Sequence, residues 1–164
     1  MSERAWIRGA QRGSVDDLER LFREHWPRAL RAARLVTGDA AAAEDIAQEA
    51  FLAAVRNLDR FDRRRPFGPW LHRIVVNRAI DWTRARRLRA EVEIGDYVAA
   101  PPAPEPDGAA FARIGELPPE HRAVVVLRYL LEYTPGEIAE LLDLPRGTVN
   151  SRLRRGLDRM KRDA

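Results

Sequence analysis

With 164 residues, 45% hydrophobic and 33% charged, the chain has an ordinary globular composition and room for one medium domain or two small ones. It has no cysteine, which excludes disulfides and thiolate metal sites and fits a reducing compartment. The net charge is only +4, and no stretch approaches the length of a bilayer span or the apolar core of an export signal, so a cytoplasmic protein without membrane insertion is expected.

The first predicted helix opens at Ser14, with Asp17 in capping position. It carries an apolar stripe of Leu18, Leu21, Phe22, Trp26 and Leu30 and stops at Thr37-Gly38. A second helix runs from about Asp39 to Leu58. Between Asp39 and Phe51 it holds four acids (Asp39, Glu44, Asp45, Glu49) and no base. Asp45, Gln48, Glu49 and Leu52 fall at i, i+3, i+4 and i+7, which puts acid, amide and apolar groups on one face. DNA repels such a face and a protein partner suits it. A plain solvated helix start, with acids favoured by the macrodipole, accounts for it as well.

A third helix starts near Pro69 and carries Trp70, Leu71, Ile74, Val75 and Trp82 towards Arg89. At helical spacing beside aliphatic residues, the two tryptophans read as core rather than as stacking platforms. The proline-rich run from Ala99 to Pro106 cannot form a helix interior and reads as a linker. Beyond it, Pro118-Pro119 opens a helix reaching Leu130. A helix-turn-helix then spans Thr134 to Lys161. Thr134 and Glu137 have capping-box spacing, Pro135 stands at the first helical position, and Asp143-Leu144-Pro145 makes the short turn. In the last helix Val149, Leu153, Gly156, Leu157 and Met160 share one arc, while Ser151, Arg154, Arg155, Asp158 and Arg162 lie roughly opposite. No strand alternation appears. The expected fold is all-α: two small helical modules, residues 1–95 and 110–164, joined by a Pro/Ala-rich linker at 96–109, the second module a four-helix-type helix-turn-helix domain.

Charge comes in blocks along this order. Residues 60–90 hold ten arginines against Asp62 and Asp81, residues 91–120 hold seven acids against Arg113, and residues 145–164 hold seven bases against Asp158 and Asp163. Two basic blocks flanking an acidic spacer suit a protein that touches a polyanion at two places. Lys161 is the only lysine. Arginine gives planar, bidentate contacts to phosphate and guanine, although a GC-rich genome produces the same bias.

Three strings carry a resemblance: Ala43-Glu44-Asp45-Ile46-Ala47-Gln48-Glu49-Ala50-Phe51, Trp70-Leu71-His72-Arg73-Ile74-Val75-Val76-Asn77-Arg78-Ala79, and Pro145-Arg146-Gly147-Thr148-Val149-Asn150-Ser151-Arg152-Leu153. In this order and spacing, the chain from Val15 to Met160 resembles the extracytoplasmic-function group of bacterial RNA polymerase sigma factors. The resemblance implies that Asp45, Gln48 and Glu49, with Leu52 on the same face, grip core RNA polymerase. It implies that Asn77, Arg78, Arg84, Arg86 and Arg87 meet the minus-ten element of promoter DNA. The loop Phe61 to Phe67, with Arg63, Arg64, Arg65 and Phe67, matches the segment that captures an unstacked base. Asn150, Ser151, Arg154 and Arg155, with Arg146 and Thr148 at the start of the same helix, match positions that read the minus-thirty-five element in the major groove. An anti-sigma partner is expected by the same analogy. The loop is more basic and proline-rich than the family's usual version, and Pro135-Gly136 replaces the acidic or aromatic residues common at that helix start.

Catalysis finds no foothold. The three histidines (His25, His72, His121) lack metal-ligand spacing, no glycine-rich phosphate loop occurs, and adjacent carboxylates such as Glu44-Asp45 point apart on a helix. No cofactor, metal or catalytic residue is expected. The rival readings are a free-standing helix-turn-helix regulator, an enzyme of nucleic-acid metabolism and a pure adaptor.

Overall fold

The computed structural model describes residues 1–92 and 108–162. Eight α-helices occur in chain order: α1 (Glu3–Gln11), α2 (Val15–Thr37), α3 (Ala40–Arg56), α4 (Phe67–Val92), α5 (Gly108–Gly115), α6 (Pro119–Val125), α7 (Pro135–Leu142) and α8 (Arg146–Arg162). A short 3-10 turn, Leu58–Arg60, follows α3, and a π turn, Val126–Leu130, extends α6. Among the described residues there is no strand, as the missing alternation predicts.

The expected punctuation holds because it is local chemistry. The Ser14 hydroxyl accepts from the Asp17 N–H, Gly38 ends α2 in the left-handed conformation at φ 69°, and the Asp39 carboxylate caps α3 through the Ala42 N–H. Thr134 and Glu137 form the reciprocal capping box at α7, with Pro135 in its first turn. Two helices were not expected. α1 precedes Ser14 and buries Ile7 completely. α5 begins at Gly108, inside the span assigned to the linker, while the run from Ala99 to Pro106 lies outside the described residues.

In the first module α2 is the central element, packed by α1, α3 and α4. The alanines of α2 and α3 (Ala29, Ala32, Ala33, Ala43, Ala47, Ala50, Ala54) are fully buried, so small side chains let these helices lie close. In the second module α6 is central and supplies Val124, Val125, Val126 and Leu127 to the core. Gly156 of α8 faces it so closely that a β-carbon there would sit 3.1 Å from Val125 Cγ2.

The modules pack on each other through α2 and α4 of the first and α5, α6 and α7 of the second. The buried Arg122 guanidinium donates to the carbonyls of Leu117 (2.7 Å), Gly115 and, across the junction, Val36 (2.9 Å). His72 Nδ1 lies 2.7 Å from the Tyr133 hydroxyl, also across the junction and also buried. Desolvation drives the His72 pKa down to about 4, with help from the nearby His25 and Arg28 charges. Burial pushes Tyr133 up to about 12, so its hydroxyl keeps its proton and can donate it to a neutral imidazole.

Two expectations follow. Between the ordinary histidine value of 6.5 and about 4, the unfolded chain binds a proton at His72 that the folded chain refuses. Stability is therefore whole above that window and falls as the pH drops through it, by at most about 1.4 kcal/mol per pH unit from this group. Urea unfolding at a series of pH values measures the slope, and His72→Gln flattens it. Thr134→Ala removes the cap of α7 and costs about 1 kcal/mol in the same assay at neutral pH.

Candidate protein and nucleic-acid interfaces

The face predicted on α3 forms as one exposed strip. Ala43, Ile46, Ala47, Ala50, Phe51 and Ala54 turn inward, which leaves Asp45, Gln48, Glu49 and Leu52 in solvent. Leu52 is 53% exposed, and Val55 one turn further on is also exposed. Phe22 of α2 extends the apolar part: it is exposed on one side and rests on Phe51 at 5.0 Å and Trp26 at 4.9 Å on the other. Neither Phe22 nor Val55 was picked out by spacing along α3. Phe22 belongs to the apolar stripe of a different helix, and only packing brings it to this edge. The strip thus combines carboxylates, an amide and an uncovered apolar patch, the mixture of a protein-binding surface.

The loop between the 3-10 turn and α4 is tightly organised. The Arg65 N–H donates to the Asp62 carbonyl at 3.0 Å, closing a turn. Asp62 also takes the Arg64 backbone N–H at 3.0 Å and its guanidinium at 3.0–3.3 Å. These hydrogen bonds from Arg64 hold the Asp62 carboxyl below the usual carboxylate range. Arg63, Arg64, Arg65 and Pro66 are exposed at the tip. Phe67 is not: it is 2% exposed and packs against Phe61 (5.9 Å), Trp70 (5.7 Å) and His25 (5.1 Å). Its apolar ring is buried against these neighbours and supports the loop from beneath. Trp70, which the sequence places in the core, is half-buried and stacks on Phe61 at 4.5 Å. The Phe61 and Trp70 rings with Arg65 and Arg73 line one side of an open cleft of about 860 Å³, and Tyr133, Glu137 and Glu140 of the second module line the other.

Along α4, Arg78, Arg84 and Arg87 are exposed and Asn77 is half-buried. Arg78 meets Glu49 at 3.3 Å, tying the α3 strip to this row. Arg86 is more committed than its place in an arginine run indicated. Its guanidinium lies over Trp82 at 5.2 Å and pairs with Asp39, the cap of α3, at 3.3 Å.

On α8 the pattern separates as expected. Val149, Leu153 and Gly156 are buried, while Arg146, Asn150, Arg154 and Arg155 are exposed and Thr148 and Ser151 half-buried. Thr148, Ser151 and Arg155 share a polar cleft of about 550 Å³ with Arg152, His121 and, from the first module, Arg84. Arg84 Nε lies 2.7 Å from a Glu120 carboxylate oxygen in the same cleft. Desolvation, then the charges of Arg152, Arg155 and Arg159, lower the pKa of His121, partly opposed by Glu120. Arg152 and Arg73 were missed as candidates. Arg152 sits beside Ser151 and three residues before Arg155, Arg73 sits four residues before Asn77, and only the folded surface shows that they line the clefts.

Among the described residues no group of three or more histidine, aspartate or glutamate side chains is disposed to hold a metal ion, and no helix is long and apolar enough to cross a membrane.

Comparison with known proteins agrees with this geometry. The family model for Sigma-70 region 2 matches residues 21–89, and that for Sigma-70, region 4 matches residues 109–160. The ECF RNA polymerase sigma factor SigW of Bacillus subtilis is 37% identical over 143 residues, covering 76% of this chain and 76% of SigW. The ECF RNA polymerase sigma factor SigL of Mycobacterium tuberculosis is 35% identical over 158 residues, covering 91% of this chain and 89% of SigL. Among solved structures, CnrH in complex with the cytosolic domain of CnrY superposes with a TM-score of 0.73 at 26% identity, covering 97% of this chain and 94% of CnrH. The chain belongs to the ECF RNA polymerase sigma factors, and its function is to direct promoter-specific transcription initiation by RNA polymerase.

Proposed function

We propose a division of that function between two modules. The first, residues 1–95, docks on core RNA polymerase through Asp45, Gln48, Glu49 and Leu52, with Phe22 and Val55 completing the apolar part of the contact. The same module reads and helps open the minus-ten element, using Arg63, Arg64 and Arg65 on the loop and Asn77, Arg78, Arg84 and Arg87 on α4. Residues 96–109 join it to the second module, residues 110–164, which reads the minus-thirty-five element with Arg146, Thr148, Asn150, Ser151, Arg154 and Arg155 of α8.

The observation that carries this reading is segregation. One exposed surface is acidic and apolar, whereas the exposed faces of α4 and α8 are rich in arginine. A polyanion is repelled by the first and attracted by the others, so one partner is protein and the other nucleic acid. Melting suits the loop residues, since arginines track a separated backbone and a ring-lined cleft receives a base that has left the stack. Arg86, held by Asp39 and Trp82, orients α4 against α3 instead of reaching for phosphate, and Phe67 shapes the loop. The protein performs no chemistry of its own in this scheme. A free-standing helix-turn-helix regulator leaves the α3 strip without a role. An anti-sigma protein that covers one of these surfaces is the expected further partner, in keeping with CnrH being solved with a protein domain, the cytosolic domain of CnrY, bound to it.

Charge reversal by Asp45→Lys with Glu49→Lys abolishes capture of the chain by purified core polymerase while its circular dichroism and melting temperature stay near those of the parent; retained capture refutes the docking face. Arg155→Ala leaves core capture unchanged and weakens holoenzyme binding to promoter duplex by about 1–3 kcal/mol, read by gel shift at fixed salt.

A further inference from the structure

α1 grips the base-capture loop at both ends. At its C-terminal end, the Gln11 side-chain amide donates to the carbonyls of Leu58 (2.9 Å) and Phe61 (3.1 Å), where the chain enters the loop. At its N-terminal end, the Glu3 carboxylate accepts from the Phe67 N–H at 3.4 Å, where the chain leaves the loop and α4 begins. The other Glu3 oxygen lies 2.6 Å from His25 Nε2, and the His25 ring packs on Phe67. Ile7, midway between the two grips, is fully buried, so α1 cannot shift along its axis without opening the core.

The spacing gives these contacts a purpose. Eight residues separate Glu3 from Gln11, and at about 1.5 Å per residue that is roughly 12 Å of rigid helix. A helix of that length sets the distance between the two ends of a loop whose own tip is closed only by the Asp62 turn and the Arg64 side chain. Both grips act on backbone groups, so they fix the path of the loop whatever side chains it carries. They add a second donor to the Leu58 carbonyl, which already accepts the Phe61 N–H at 3.0 Å, and supply one to the Phe61 carbonyl just beyond the 3-10 turn.

We infer that Gln11 and Glu3 are positioning residues for promoter melting: α1 is a splint that holds the loop Phe61–Phe67 in its receiving shape before DNA arrives. The inference rests on the reading of that loop as the base-capture segment. A loop already in its bound shape does not lose freedom when the base enters, so the splint raises affinity for the unstacked strand and sharpens discrimination among bases. It makes no contact with DNA, and it leaves the α3 strip and α8 untouched.

The test uses holoenzyme assembled from the full chain and core polymerase, and fluorescent single-stranded oligonucleotides spanning the minus-ten element with each base varied in turn. Gln11→Glu, which keeps the size and removes the amide donors, and Glu3→Ala each lower affinity for the preferred strand five- to tenfold and compress the ratio between preferred and disfavoured bases. Glu3→Gln, which keeps an acceptor for the Phe67 N–H, restores both. Core capture and binding of a minus-thirty-five duplex stay at parental levels. Arg63→Ala with Arg65→Ala, made in parallel, tests the loop itself. If that loop variant loses discrimination while Gln11→Glu and Glu3→Ala keep it, the loop reading stands and the splint is overturned. If the loop variant keeps full discrimination, the reading of the loop fails and the splint falls with it. A fall in melting temperature without any change in base ratio also overturns the proposal, because it reduces α1 to a stabilising helix.

Discussion

The arrangement of the whole chain turns on one guanidinium. Arg122 is buried, has no carboxylate partner among the described residues, and is satisfied by carbonyls at the ends of two helices, Val36 of α2 and Gly115 of α5, together with Leu117. Helix C-termini leave their last carbonyls unpaired and carry partial negative charge, so a cation placed there gains from both. Desolvation lowers its pKa to about 10, still far enough above neutrality for the charge to persist. Removing the side chain strands the Leu117 and Gly115 carbonyls and leaves Val36 only the 3.5 Å contact from the Thr83 hydroxyl, and each orphaned buried group is costly. The second module, with only about fifty residues and a marginal core of its own, leans on the first through this contact and through the His72–Tyr133 pair.

That junction sets where the functional surfaces point. The α3 strip faces away from the second module, bounded by Arg78 and the aromatic cluster of Phe22, Trp26 and Phe51. The loop and α4 instead border α7 and α8, so the two clefts at the junction are lined from both modules. The α3 helix can carry exposed acids and an uncovered leucine because its inner face, built from alanines, isoleucine and phenylalanine, is complete without them.

What the sequence made legible was local. Caps at Ser14, Asp39 and Thr134, the stop at Gly38 and the apolar arc of α8 depend on residues within one or two turns, and each appears where spacing puts it. α1 was not legible. Its apolar pattern of Trp6, Ile7 and Ala10 is one short stretch, and its partners Leu58, Phe61 and Phe67 lie some fifty to sixty residues away. The resemblance puts Phe67 in the loop that captures a base, and folding buries its ring beneath that loop. Arg86 and Arg122 look like any other arginines in basic helices. Asp39, Trp82 and the Val36 carbonyl, brought close only by folding, decide what they do.

The ion pair of Arg84 with Glu120 has a consequence in mass action. The carboxylate takes up the Nε–H of Arg84 at 2.7 Å, so on the proposed reading a phosphate entering the polar cleft competes for that guanidinium with an internal anion already at high local concentration. Glu120 thereby acts as a tethered competitor. On that reading it weighs against polyanions that offer a single weak contact and yields to a ligand that engages several arginines together.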